Sequence, residues 1–474
     1  MLGIKKISNY VLMVMVCITF GDCSNDEKIK VMPDVPTGVS SHTIPMKLVG
    51  SFIDFDQTKK ETRASSTSWN EGDKVYITFY NTDATISGEA TYNTSSGWNV
   101  SFDGELPSGT DLKCEVRHFK NTTFESSSLI SLNSNSEIYE ETNGNYSYVD
   151  GALIVYASLF PKTGRIRFKG EINTEIYVVG LSLYSTYSPI NNTFYSSSTV
   201  VNSTVASDGF TPYIYGMLSD TERNLGVIGT DFAFTRKCSS EILKSGESGY
   251  MTIPSESSHN NWQSGLYLSV NGIGFNMIPV VGLESGFYLI GETEVTEDLC
   301  KAVDGNDNLS LTMLPADHMG YSGAKSIIEK LNNKTNLNFS LPTKEQWQYA
   351  ANGGNKSLGY IYSGSNKPNE VAWYSDNCTS KQIVKTKMPN ELGLYDMSGN
   401  VGEFINSNRT YALVYGGGFC SKADYIKTTS YASFDLYIER EATMAYFPVS
   451  SGYESTSKDG NSIGVGFRLI LTFP

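Results

Sequence analysis

The chain has 474 residues and a formal net charge of −14. Its length gives room for about two or three domains, each with its own core. The acidity excludes a broad basic surface for phosphate backbones, so nucleic acid is not an expected partner. With 30 Tyr against 5 Trp and only 18% charged residues, the composition suits extracellular β-structure better than a helical cytosolic enzyme.

Lys5 and Lys6 precede an apolar run from Val11 to Phe20. The run is too short for a bilayer span and has the length of a signal-peptide core, so residues 1–22 read as a signal peptide. Cys23, in Phe20-Gly21-Asp22-Cys23, resembles the lipidated cysteine of bacterial lipoproteins, although Asp22 stands where a small residue is usual. That resemblance implies a lipid on Cys23 as an outer-membrane anchor. Ser24-Asn25-Asp26-Glu27 is similar to the acidic tract that sends such proteins to the outer face. The alternative is a plain secretory signal with an incidental cysteine. Residues 23–45, polar and carrying Pro33, Pro36 and Gly38, read as a flexible tether.

Strand patterns follow. Val75 to Tyr80 is β-branched and aromatic, and Trp98 to Phe102 alternates apolar with polar. Asn143-Gly144, between Ile138-Tyr139 and Tyr146 to Tyr148, predicts a two-residue hairpin turn. No segment before about residue 280 has the pattern of a long amphipathic helix. The expected fold class is mainly β with an α+β C-terminal domain. Two tandem β-sandwiches, residues 46–155 and 156–282, precede a different unit at 283–474.

Thr62-Arg63, Trp69-Asn70-Glu71-Gly72-Asp73-Lys74-Val75, and Trp98 followed by Gly104-Glu105-Leu106-Pro107 resemble the fimbrillin-like pilins of anaerobic Gram-negative bacteria over roughly residues 43–281. The resemblance implies transthyretin-like sandwiches and assembly with other pilin subunits by strand exchange. It also implies proteolytic processing at Arg63, beside Lys59 and Lys60. A solvated basic loop is the plainer reading of those three residues. Independently of any family, Gly72-Asp73 predicts a tight turn that starts a strand, with Trp69 packed over the sandwich edge.

In the last unit, Ile327, Ile328 and Leu331 have helical spacing. Thr343 and Gln346 form a capping box for a helix that buries Trp347, Ala350 and Ala351 and ends at Gly353 or Gly354. Those residues closely resemble the formylglycine-generating enzyme, or sulfatase-modifying factor, family. So do Val371-Ala372-Trp373-Tyr374, the run from Pro389 to Val401, and Gly464-Val465-Gly466-Phe467-Arg468-Leu469. The resemblance implies a variant of the C-type lectin fold.

Catalytic members of that family bind copper through two cysteines soon after a Gly-Gly-Ser-aromatic motif, thiolates being suited to so soft an ion. The corresponding stretch is Gly416-Gly417-Gly418-Phe419-Cys420, and no cysteine follows Cys420. Cys378 is expected to reach it only by a rearrangement of the fold, so neither copper nor oxidase activity is expected. The remaining cysteines, Cys114, Cys238 and Cys300, are scattered, and sequence alone pairs none of the five. Asp396, Gly399, Val401 and Glu403 match family positions that ligate a structural calcium ion with hard oxygen donors. The alternative is that Asp396 and Glu403 only hydrogen-bond the turn.

Between Gly418 and Gly464 lie Asp424, Tyr425, Tyr431, Asp435, Tyr437, Tyr446 and Tyr453 among many Ser and Thr. Tyrosine supplies stiff contact area with a polar tip, as in antibody paratopes. This stretch resembles the C-terminal region of retroelement-diversified variable proteins and is taken as the ligand-binding face. Core or ordinary loop tyrosines are the alternative. The combined expectation is a lipid-anchored outer-membrane surface protein or fimbrial tip adhesin whose head binds a surface glycan or protein. An oxidase and a purely structural pilus component are the other readings.

Overall fold

Gly72 and Asp73 make the turn their sequence calls for. Gly72 has φ 83°, Asp73 N donates to Asn70 O at 3.0 Å, and Asp73 Oδ2 accepts from Asn70 N at 2.7 Å. Trp69 then sets its edge against the rings of Trp98 and His118, 4.9 and 5.0 Å between centroids. The computed structural model describes residues 42–50, 69–82, 84–102, 104, 112–126, 129–198, 200–218, 224–239, 243–254, 262–284, 286–306, 308–317, 320–406, 411–435, 446–449, 452–455 and 464–473. Cys23 and Arg63 lie outside the described residues.

The first unit closes on itself. Strands Glu137–Val149, Lys113–Lys120, Lys74–Tyr80, Thr85–Asn93, Gly97–Phe102, His42–Val49 and Ala152–Tyr156 follow one another, and the last pairs back onto the first. His42–Val49 is antiparallel to Gly97–Phe102 and parallel to Ala152–Tyr156. Alternate residues, among them Val75, Ile77, Phe79, Val100 and Val155, fill the interior. The expected hairpin at Asn143-Gly144 does not form. Glu137–Val149 runs straight through it, and the turn falls at Asp150-Gly151, where both residues have positive φ. Gly144 instead marks where the strand passes from Lys113–Lys120 to Ala152–Tyr156. A Cβ there would lie 3.3 Å from both Cys114 O and Tyr156 O, so this glycine serves a close backbone approach and not a turn.

In the second unit one layer holds Ser248–Thr252, Gly164–Lys169, Ile214–Leu218 and Leu181–Ser188. The other holds Val201–Thr204, Glu175–Val179, Asn224–Ile228 and Ala233–Lys237. Phe168, Ile176, Val178, Leu181 and Val227 are buried between them. The boundary expected at 155/156 is crossed. Strands Thr123–Ser126 and Leu129–Ser131 belong in sequence to the first unit but extend the second unit's sheet through Leu181–Ser188. Apolar contact explains the crossing, since Ile130 and Tyr187 are buried in one cluster with Tyr76 and Phe119.

The C-terminal unit, or head, begins earlier than the expected residue 283. Leu266–Val270 and Ile273–Val280 form one sheet with Tyr288–Gly291, Ile470–Leu471 and Phe339–Ser340. One apolar core runs from Val179, Ile228 and Ala233 of the second sandwich through Leu266 and Met277 to Leu289 and Leu471. A second sheet orders Gly452–Ser455, Tyr446–Val449, Tyr431–Asp435, Tyr411–Tyr415, Gly402–Ile405 and Val465–Phe467. Among the described residues three helices of eight residues or more belong to the head: α1 Glu297–Asp304, α2 Gly320–Thr335 and α3 Lys344–Ala351. Helix α2 buries Ile327, Ile328 and Leu331. Helix α3 has the Thr343–Gln346 capping box and buries Trp347, Ala350 and Ala351, as the sequence predicts.

Candidate functional site

The head is organised round a buried ion pair. Arg468 follows strand Val465–Phe467 and is 0% exposed; Glu403 on Gly402–Ile405 is likewise 0% exposed. Arg468 donates Nε to Glu403 Oε1 and Oε2, both at 3.0 Å, and Nη2 to Oε1 at 2.6 Å. Its other donors reach Gly291 O at 2.9 Å and Tyr395 O at 2.8 Å. Trp347 Nε1 donates to Glu403 Oε2 at 2.6 Å, so helix α3 is fastened to the same carboxylate.

A tight turn brings two more carboxylates to this interior. Asp396 and Asn400 have φ 58°, and Gly399, at φ 80°, passes so close to Trp373 that a Cβ would lie 2.3 Å from its carbonyl oxygen. Only glycine fits there. Glu294 accepts from Val401 N at 3.0 Å and from Asn400 Nδ2 at 2.9 Å. Asp396 Oδ2 accepts from Lys385 N at 2.7 Å, while its Oδ1 is buried with no hydrogen-bond partner. Burial, with Asp396 and Glu403 adding to it, pushes the Glu294 carboxyl well above the usual range. Burial also raises Asp396, to about 6. For Arg468 burial works the other way, but the carboxylates, Glu403 foremost, prevail and hold it charged.

These contacts bear on the donors that Asp396, Gly399, Val401 and Glu403 could offer a cation. A calcium ion takes roughly six to eight oxygens. The open Asp396 Oδ1 fits a cation. Glu403 does not, since Arg468 and Trp347 occupy both its oxygens. Gly399 and Val401 would offer a cation their carbonyl oxygens, while their N–H groups hold the turn by donating to Gly416 O and Glu294 Oε1. Among the described residues no three His, Cys, Asp or Glu side chains gather where a metal would sit. Both Glu403 oxygens are thus committed to Arg468 and Trp347, and of the two expected carboxylates Asp396 is the one with an open oxygen.

An aromatic column leads outward from the ion pair. Trp347 lies 5.2 Å from Tyr415, and Tyr415 stacks on Tyr431 at 5.6 Å and 25°. Tyr415 is buried and Tyr431 is 43% exposed. Asp424 and Tyr425 sit in the short 3-10 turn Ala423–Tyr425, where exposed Asp424 pairs with Lys427 at 2.9 Å. A glycine makes that turn fit, because a Cβ on Gly417 would lie 2.6 Å from Tyr425 O. Asp435, Tyr446 and Tyr453 fall on the neighbouring strands Tyr431–Asp435, Tyr446–Val449 and Gly452–Ser455. Tyr437 lies outside the described residues. Tyr431, Asp435, Tyr446 and Tyr453 thus fall on three adjoining strands of one sheet, and Asp424 and Tyr425 on the turn that precedes the first of them.

Cys378 and Cys420 share a neighbourhood, against expectation. Ser375 N donates to Ser421 O at 3.0 Å, and the Cys378 thiol points at Tyr374 O (3.4 Å) and Phe419 O (3.9 Å). No rearrangement of the fold is needed to bring them together. The turn after Trp373 docks onto the Gly-rich turn directly. Burial raises both thiols above their ordinary pKa.

Residues 274–472 match the family model of the sulfatase-modifying factor enzyme 1-like domain. The head is a sulfatase-modifying factor enzyme 1-like domain. Chaperone protein LppX of Paenibacillus barcinonensis is 36% identical over 123 residues, covering 20% of this chain and 44% of that protein. The chain thus spans under half the length of this curated relative. Among solved structures, Treponema denticola variable protein 1 is 22% identical with TM-score 0.34, over 44% of this chain and 99% of its own. A fimbrial protein from Bacteroides ovatus is 9% identical with TM-score 0.26, over 91% and 99%. At TM-scores this low, neither likeness fixes a fold or a function.

Within the sulfatase-modifying factor enzyme 1-like domain, the residues round Glu294 mark no role for it, and Arg468 stands out only as part of a motif. Arg468 had a signal: an arginine between Phe467 and Leu469, in an otherwise apolar strand end, has to find a buried partner. Glu294, among polar neighbours, had none.

Proposed function

We propose that the chain is an exported surface protein, lipid-anchored through Cys23, whose head binds a glycan or protein on another surface. The observation that carries the reading is the Tyr431 ring, partly exposed and held flat on buried Tyr415. A ring braced in this way loses little entropy on contact with a ligand. Asp424 and Tyr425 on the adjoining turn and Asp435, Tyr446 and Tyr453 on the strands beyond, together with Tyr437 in the sequence between them, complete the proposed face. The test is a glycan and protein array probed with the full chain, then with Tyr431, Tyr437 and Tyr446 changed to Ala. Binding that survives the triple change sinks the face. A calcium ion, where one binds, is proposed on the open Oδ1 of Asp396.

Two further readings each have an observation behind them. The position of His42–Val49 between two strands of a closed sheet, ahead of Lys59, Lys60 and Arg63, suits strand exchange with other pilin subunits. Cleavage after Arg63 would detach that strand from the chain. Trypsin-like digestion followed by sizing tests it, since a chain that stays monomeric after cleavage speaks against assembly. The nearness of Cys378 to Cys420 is the one feature that favours an oxidase. Tight Cu(I) uptake together with conversion of a peptide cysteine to an aldehyde would establish that activity over recognition.

A further inference from the structure

Five cysteines are described, and three of them are buried in separate cores. Cys114 lies in the first unit, Cys238 in the second and Cys300 within helix α1. Cys378 and Cys420 are different: both are partly exposed, on two turns joined by the Ser375–Ser421 hydrogen bond. The Cys378 sulfur lies 3.9 Å from the carbonyl oxygen of Phe419, the residue before Cys420. Cys378 is also close enough to bear on the electrostatics of Cys420. We infer that Cys378 and Cys420 are a disulfide-forming pair that ties the Gly-rich turn under the proposed ligand face to the turn following Trp373.

The chemistry is thiol–disulfide exchange with an external disulfide, small or protein-borne. The thiolate of one cysteine attacks the reagent's sulfur–sulfur bond and expels one reagent thiolate, leaving a mixed disulfide. The second cysteine attacks that bond and expels the other. The protein loses two thiol protons and two electrons, and the reagent leaves as two thiols. Both protein thiols are held protonated at neutral pH by burial, so the exchange is slow without a catalyst or raised pH. Once formed, the bond occupies both sulfurs and leaves neither as a thiolate for a soft metal. Formation in the cell rests on the export reading, because cytosolic thiols stay reduced; the geometry does not.

The test uses the full chain from two sources, native envelope and cytosolic expression followed by equilibration with oxidised glutathione. Each is denatured, alkylated without reductant, digested and weighed. The expected result is a linked peptide pair containing Cys378 and Cys420, lighter than the two thiol peptides by the mass of two hydrogens. Cys114, Cys238 and Cys300 should be alkylated. Cys378→Ser should make Cys420 fully alkylatable while leaving the circular dichroism spectrum unchanged. Both thiols alkylated in the glutathione-equilibrated chain would overturn the inference. Linkage there, with both reduced in the native envelope, would uphold the pair and overturn the export reading instead.

Discussion

Trp347 and Glu403 are joined by a 2.6 Å hydrogen bond between two fully buried side chains. That bond ties helix α3 to the carboxylate that neutralises Arg468. The head is thereby held together by a charged centre, and its behaviour under mutation should show it.

Arg468→Ala leaves Glu403 buried without its counter-charge and should destabilise the chain by about 3–5 kcal/mol. Replacing Arg468 with Met and Glu403 with Leu together should cost less than the single change, because no lone charge remains. Urea unfolding of the three proteins measures this. A double variant as unstable as Arg468→Ala would mean that the pair does more than cancel charge.

Asp396 has a folded pKa of about 6 against an ordinary 3.8. The folded state therefore binds the extra proton between those values, and stability falls as pH rises through that window. Asp396→Asn should flatten the fall and raise the melting temperature at neutral pH in calcium-free buffer. Added calcium should raise the melting temperature of the wild type and not of the variant. A calcium gain equal in both would remove Asp396 from any ion site.

Tyr431→Ala should weaken binding to a ligand found on the array by about 2 kcal/mol, roughly thirtyfold, as loss of a central aromatic anchor does. Tyr431→Phe keeps the stack and should lose much less. Surface plasmon resonance on the full chain distinguishes the two. Equal losses would place the ligand on the hydroxyl and not on the ring.

Cys378→Ser should lower stability by about 2–4 kcal/mol when no reductant is present, and by far less with reductant. Melting curves in the two buffers give the comparison. A difference that ignores the reductant would point to packing alone.

A fragment beginning at residue 283 loses Leu266–Val270 and Ile273–Val280, which pair with each other and with Tyr288–Gly291. It should be insoluble, whereas one beginning at residue 262 keeps the head sheet. Expression and sizing of both fragments check this. A soluble, monomeric fragment from 283 would show that those strands are dispensable.

Local rules were readable in the residues themselves. The Gly72-Asp73 turn and the Thr343–Gln346 box are settled within a few positions, so sequence suffices for them. Asn143-Gly144 obeys the same local rule and still does not turn, because Gly144 is needed where Cys114 and Tyr156 crowd the backbone. Long-range partners were out of reach in the same way. Nothing near Cys378 announces Phe419, and nothing near Glu294 announces Asn400. The domain boundaries failed for one further reason. Apolar faces such as those of Ile130 and Met277 went to whichever neighbour buried them, without regard to sequence order.

The crossing of Leu129–Ser131 onto Leu181–Ser188 has a mechanical meaning. A pull that separates the two sandwiches cannot swing them apart on a hinge. It must first peel a hairpin off its neighbour's sheet and open the apolar seam beneath it. Such a join stiffens the chain between its two sandwiches, so that load applied across them is borne by strand pairing and packed side chains together.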